Sequence, residues 1–132
     1  METIIRNNYK FKRNKLGRIG IIDVGSNSVR LVVFDGFSRS PNYFFNEKVL
    51  CGLGRGMSKT KLLNGSGKIK TIQAVKRFVA ITKKMSLTEL VGVATAAIRN
   101  SVDGETFIKK LRKDTGLVFF VASGNEEANF SA

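Results

Sequence analysis

The run Ile21-Ile22-Asp23-Val24-Gly25-Ser26-Asn27-Ser28-Val29-Arg30-Leu31 decides the architecture of this chain. Its start completes an apolar stretch, Ile19 to Asp23, that reads as a buried strand delivering a carboxylate to its end. Val24 to Asn27 is a tight turn by composition. Ser28 to Asp35 (SVRLVVFD) is apolar and β-branched, and reads as a second strand. Gly25 lets the backbone turn closely, so the N–H groups from Gly25 to Ser28 can converge on one anion. The side chains of Ser26, Asn27 and Ser28 add further donors. Asp23 beside a bound phosphate suits a hydrated Mg²⁺, which keeps several waters and uses few protein carboxylates. By itself Asp-x-Gly-Ser reads first as a plain strand-turn-strand hairpin, with the anion site as the alternative.

Working outward, Gly36 to Pro41 is a turn and Tyr43 to Leu50 a third strand, which makes an antiparallel meander. Cys51 to Gly67 is glycine-rich and reads as a loop. A helix is predicted from about Ser66 or Lys68 to Met85, with Ser66 a candidate N-cap. Ile69, Ile72, Val75, Val79 and Ile81 follow its 3.6-residue period, with Lys70, Lys76, Arg77, Lys83 and Lys84 largely opposite. Glu89 to Ala94 is a strand. Asp103-Gly104 is a turn leading into a helix from Asp103 to Thr115, with Phe107, Ile108 and Leu111 on one face and Gly116 as C-cap. Leu117 to Ala122 is a fifth strand, and Ser123-Gly124 opens a helix beginning Asn125-Glu126-Glu127-Ala128. The order β-β-β-α-β-α-β-α implies a mixed α/β sheet with helices packed on it.

The chain of 132 residues suffices for one modest domain. No apolar run reaches the roughly 20 residues of a membrane span, and Met1 to Lys15 lacks a signal-peptide h-region. Residues 1–17 read as a basic, disordered leader, and 18–132 as the domain. One cysteine, Cys51, leaves no internal disulfide, in keeping with a reducing cytoplasm, and the absence of histidine argues against zinc. Gly52-Leu53-Gly54-Arg55-Gly56 lacks the dinucleotide spacing, and Asn64-Gly65-Ser66-Gly67-Lys68 lacks the rest of a P-loop. The net charge of +13 calls for an anionic partner. Between Glu47 and Glu89 every charged residue is basic: Lys48, Arg55, Lys59, Lys61, Lys68, Lys70, Lys76, Arg77, Lys83 and Lys84. These form either a solvated helix face or a polyanion track.

Four motifs resemble, in order, those of the exopolyphosphatase/guanosine pentaphosphate phosphohydrolase family. GIIDVGSNSVRLVVFDG (residues 20–36) resembles its first phosphate-binding loop. Glu47 to Met57 resembles its post-meander loop, Val93 to Asn100 its Ala-Thr-Ala-x-x-Arg motif, and Ser123 to Ala128 its Ser-Gly-x-Glu-Glu-Ala motif. The resemblance covers roughly Arg18 to Ala132. It implies a ribonuclease H-like/actin-like ATPase domain, incomplete at its C-terminus because the family's second phosphate loop, Asp-x-Gly-Gly-Gly-Ser, and second actin-like half do not follow. It implies release of terminal phosphate from polyphosphate or guanosine pentaphosphate, in proteins expected to be dimeric. By motif match, Asp23 helps hold Mg²⁺, Gly25, Ser26, Asn27 and Ser28 cradle phosphate, Arg99 contacts substrate phosphates, and Glu127 is the catalytic base. With one phosphate loop, the chain alone is expected to be inactive, with an unfinished sheet edge and an uncovered sheet face. The alternatives are a non-catalytic basic module that binds polyphosphate or nucleotide, or a non-specific nucleic-acid binder.

Overall fold

The computed structural model describes residues 17–35 and 42–124. The expected leader up to residue 16, the turn at 36–41 and the helix from Asn125 lie outside these residues. The strands are β1 (Arg18–Val24), β2 (Ser28–Asp35), β3 (Asn42–Leu50), β4 (Leu87–Ala94) and β5 (Phe119–Val121), in the order β3-β2-β1-β4-β5. β1, β2 and β3 form the expected antiparallel meander, while β4 runs parallel to β1 and β5 parallel to β4. Parallel neighbours need long crossovers. Here α2 (Gly65–Thr82) precedes β4, and α4 (Gly104–Thr115) precedes β5.

Strand alternation sorts the apolar residues onto two faces. Ile22, Val24, Val29, Leu31, Val33, Ala94 and Phe119 pack with Val75 and Phe78 of α2 and with Phe107, Ile108 and Leu111 of α4. Ile21, Val91, Val93 and Ala122 form a second cluster on the other face, with Phe34 and Phe120 against it. That face was expected to be uncovered, yet these four residues are at most 3% exposed. Among the described residues β5 is the last strand on its side of the sheet, and Val118 and Val121 are exposed there.

The long helix departs from its sequence pattern. Its N-cap is Asn64, not Ser66: the Asn64 side-chain oxygen accepts from the Gly67 N–H at 2.9 Å, and the Ser66 hydroxyl donates to the same oxygen at 3.0 Å. It ends at Thr82, three residues before Met85. Its buried stripe is Gly67, Thr71, Ala74, Val75, Phe78 and Thr82, while Ile69 is 61% exposed. Small and hydroxylated residues therefore form four of the six positions of the contact face, because the helix lies close against the 52–53 backbone. A Cβ on Gly67 would sit 2.7 Å from the Gly52 carbonyl oxygen. Two short helices lie where no helix was predicted, α1 (Met57–Thr60) and α3 (Ala96–Asn100).

The second predicted helix is close to expectation. Gly116 ends α4 at φ 71°, its N–H donating to the Arg112 carbonyl at 2.9 Å. Asp103 occupies the N-cap position without capping. Its carboxylate instead accepts from the Leu63 N–H and the Lys68 ammonium, both at 2.9 Å. Burial by itself would raise the Asp103 pKa, but the Leu63 N–H and Lys68 outweigh it and hold the carboxyl below its ordinary value. A depressed carboxylate stabilises the fold above its unfolded pKa of about 3.9, and that contribution is lost as pH falls through the lower folded value. Asp103→Asn should therefore cost about 1–2 kcal/mol at pH 7, discounted for partial exposure. The deficit should shrink below pH 4. Urea unfolding at pH 7 and pH 3 checks this; an equal deficit at both values would exclude charge as its source.

Candidate functional site

β1 and β4 run parallel and end side by side, with Val24 next to Ala94. Ligands of open α/β sheets collect outside such carboxyl ends. Thr95 closes the junction, its N–H donating to the Val24 carbonyl at 3.2 Å. Ala122 does the same on the other side, its N–H donating to the Ala94 carbonyl at 2.8 Å. The β1–β2 hairpin therefore turns at the same end of the sheet where the chain leaves β4 and β5.

Within the hairpin, the Gly25 N–H donates to the Ser28 carbonyl at 2.9 Å, so of the N–H groups expected to converge on an anion that of Gly25 is already used. The two central carbonyls are held from behind by the chain that follows β3. The Asn27 carbonyl accepts from the N–H groups of Cys51 (2.9 Å) and Gly52 (3.0 Å), and the Ser26 carbonyl from that of Gly54 (2.8 Å). Among the described residues, the N–H groups of Ser26 and Asn27 and the side chains of Ser26, Asn27 and Ser28 make no hydrogen bond. All three residues line an open cleft of about 710 Å³. The loop thus lines the cleft with donor groups while the backbone carbonyls of Ser26, Asn27 and Ser28 are consumed. Gly54 permits this backing, since a Cβ there would stand 3.1 Å from the Ser26 Cβ.

Gly25 is not in the left-handed region, so the turn does not use glycine's positive φ. A Cβ would sit 3.4 Å from the Ser28 carbonyl oxygen and 3.9 Å from the Thr95 hydroxyl, ordinary contacts. What glycine preserves is open space between the hairpin and Thr95.

Asp23 is half-buried one residue before the turn. It pairs across β2 with Arg30, and Arg30 across β3 with Lys48, so the three form a row on one sheet face. Arg99 lies in α3, one turn after Thr95, its N–H donating to the Thr95 carbonyl at 3.1 Å. Its guanidinium donates to the Ala122 carbonyl at 3.0 Å and so ties α3 to the end of β5. Glu127 lies outside the described residues, three positions past Gly124.

The donors around the hairpin fit a hard, hydrated cation. They are a single carboxylate, Asp23, with the hydroxyls of Ser26, Ser28 and Thr95, and the chain has no imidazole. No cluster of three or more His, Cys, Asp or Glu side chains occurs among the described residues. Such a set suits Mg²⁺ with water and phosphate oxygens completing its shell. Cys51 is buried, and burial pushes its thiol pKa up despite Lys70 nearby, so it stays a neutral thiol rather than a soft ligand or nucleophile.

Sequence reasoning missed the backing by Cys51, Gly52 and Gly54, because nothing in a glycine-rich loop names its hydrogen-bond acceptors. It also left the basic run undivided. Lys68 pairs with Asp103, and Arg77 with Glu47 at 2.8 Å, whereas Lys48, Arg55 and Lys70 line the cleft. A smaller cavity of about 400 Å³ lies at the other end of the sheet, between Val79–Lys83, Ser86–Leu90 and Thr115–Leu117. No helix among the described residues is long and apolar enough to cross a membrane.

A strand-turn-strand donor loop at the end of a mixed β3-β2-β1-β4-β5 sheet is the α/β architecture expected from its motifs, and solved Ppx/GppA phosphatases share it. The chain belongs to the Ppx/GppA phosphatase family, whose model matches residues 31–132. It is 28% identical over 115 residues to exopolyphosphatase 1 of Mycobacterium tuberculosis, covering 86% of this chain and 33% of that protein. It is 30% identical over 126 residues to a bifunctional 3-dehydroquinate synthase/phosphatase of Fusobacterium nucleatum, covering 90% of this chain and 19% of that one. The crystal structure of the Aquifex aeolicus Ppx/GppA family member superposes with a TM-score of 0.78 at 27% identity, over 86% of this chain and 37% of that one. An exopolyphosphatase from Cytophaga hutchinsonii gives 0.79 at 26%, over 85% and 36%. The chain thus spans about a third of the length of the exopolyphosphatase relatives and solved structures it matches.

Proposed function

We propose that this chain supplies the first phosphate loop of a phosphoanhydride hydrolase that releases terminal phosphate from linear polyphosphate or guanosine pentaphosphate. One observation carries this reading: a hairpin whose carbonyls are tied back and whose N–H, hydroxyl and amide donors open onto a cleft free of acidic residues. Phosphoryl transfer rests mainly on positioning and charge stabilisation, which such donors provide. Gly25, Ser26, Asn27 and Ser28 cradle the phosphate, and Asp23 is the protein ligand for Mg²⁺. Bound there, Mg²⁺ neutralises charge on the transferring group. Arg99 contacts substrate phosphate oxygens, and Glu127 takes the proton of the attacking water, a role worth about 10²–10⁴-fold in rate. The loop grips phosphate from one side only. Water exclusion and alignment need contacts from the other, so this polypeptide alone binds phosphate chains and releases little phosphate.

The test is calorimetric titration with pyrophosphate and with polyphosphate at low salt. Both should bind, and Gly25→Ala, which fills the space before Thr95, should weaken binding roughly tenfold by breaking the close approach of one charge-assisted donor. No binding by the wild-type chain would end the reading. Any phosphate release that survives Glu127→Gln would remove Glu127 as the base, whereas binding with no release at all would favour a binding module without turnover.

A further inference from the structure

The chain enters the sheet beside a cavity that the phosphate site does not use. β1 begins at Arg18, and the buried Gly17 before it lies against Thr88, whose hydroxyl a Cβ on Gly17 would overlap. Thr88 helps to line the cavity of about 400 Å³ at the start of β4. Residues 1–16 therefore join the domain at the mouth of this cavity. It lies at the opposite end of the seven-residue β1 from the hairpin, about 20 Å away.

The cavity is apolar inside and weakly negative at its rim. Val79 of α2, Leu87 and Leu90 of β4, and Leu117 line it. Leu87 and Leu90 lie directly on β1, since a Cβ on Gly20 would stand 2.8 Å from each. Its charged lining residues are Lys83 and Glu89. α2 ends at Thr82 and α4 at Thr115, both on the lining, and helix C-termini carry partial negative charge. No basic residue in the last turn of α2 offsets it. Such a hollow suits a segment that is apolar and basic together. In residues 1–16, Ile4, Ile5, Tyr9, Phe11 and Leu16 are interleaved with Arg6, Lys10, Lys12, Arg13 and Lys15.

We propose that this N-terminal segment folds back over the start of β1 and β4 and seats Phe11 in the cavity. Phe11 precedes Gly17 by six residues, a reach of up to about 20 Å, enough to return across a hollow of this volume. Tethering favours this occupant over any free one. A short link supplies an effective concentration in the millimolar range, so a weak contact is enough to keep the cavity filled. A second copy of a chain with net charge +13 is repelled as it approaches. The docked segment holds its cations at the far end of the sheet from the hairpin, and the proposal stands independently of the phosphate-loop reading.

The experiment uses the full chain throughout. The sequence has no tryptophan, so Phe11→Trp adds a single fluorescent reporter. Its emission should be blue-shifted relative to the urea-unfolded chain and shielded from acrylamide, and dilution should leave both unchanged. Amide NMR spectra of wild type and Tyr9→Ser/Phe11→Ser then locate the contact. Their differences should centre on residues 83–90 and 115–117, with residues 25–28 unmoved. Both changed side chains precede the sheet, so circular dichroism should report the same fold in all three proteins. A reporter as exposed in the native chain as in urea overturns the proposal. So does a shielded reporter whose amide differences centre on the hairpin or on Ile21, Val91 and Val93 of the other sheet face, because the segment then docks elsewhere. Shielding that disappears on dilution would assign the cavity to a second copy instead.

Discussion

Phe119→Ala should remove about 3–5 kcal/mol of unfolding stability, as deletion of a fully buried ring does. That is a large share of the 5–15 kcal/mol typical of a whole domain. The ring is 1% exposed and lies against Gly92, where a Cβ would stand only 2.4 Å from it. β5 has three residues and pairs with β4 only through Gly92, Val93 and Ala94, helped by the Arg112 guanidinium donating to the Phe119 carbonyl at 2.7 Å. Losing the ring therefore unlatches the strand that leads toward residue 127. Urea unfolding measures the loss, and a value under 1 kcal/mol would show that β5 is held by something other than this contact.

The second large effect reverses a familiar sign. In a helix, replacing glycine by alanine ordinarily stabilises by up to about 1 kcal/mol. Gly104→Ala at the start of α4 should destabilise by about 3 kcal/mol, at the upper end of overpacking costs. A Cβ there would stand 1.9 Å from the Ile98 carbonyl oxygen, with the Ser101 hydroxyl at 2.7 Å. The nearest obstacle is backbone, so no rotamer change relieves it. The turn between α3 and α4 must open, and α3 carries Arg99 and follows Thr95. Thermal unfolding and polyphosphate titration of the same variant should therefore both worsen. A melting temperature at or above wild type would mean that α3 can move freely.

The hairpin, the meander and the helix–strand alternation were legible because apolar runs and turn residues repeat with the periods of their elements. The start of α2 was misplaced because Asn64 and Ser66 are both good caps, and only the bond from Gly67 decides between them. Of the six buried residues of α2 only Val75 stood on the expected stripe, because Gly67, Thr71, Ala74 and Thr82 are weak hydrophobic signals. A close helix approach selects them for size. The five residues of α3 are too few to show a period. At the candidate site, the hairpin was read from its own residues and Arg99 from a motif. The support from Cys51, Gly52 and Gly54 reaches across β2 and β3, a distance in sequence that no local pattern encodes.

Because the oxygens of Ser26 and Asn27 are each anchored by a neighbouring strand of backbone, the hairpin tip cannot rotate its peptide planes. A flexible turn can swap an N–H for a C=O and welcome ions of either sign. This one is locked into a single polarity before any ligand arrives, so discrimination between anion and cation is set at the moment of folding.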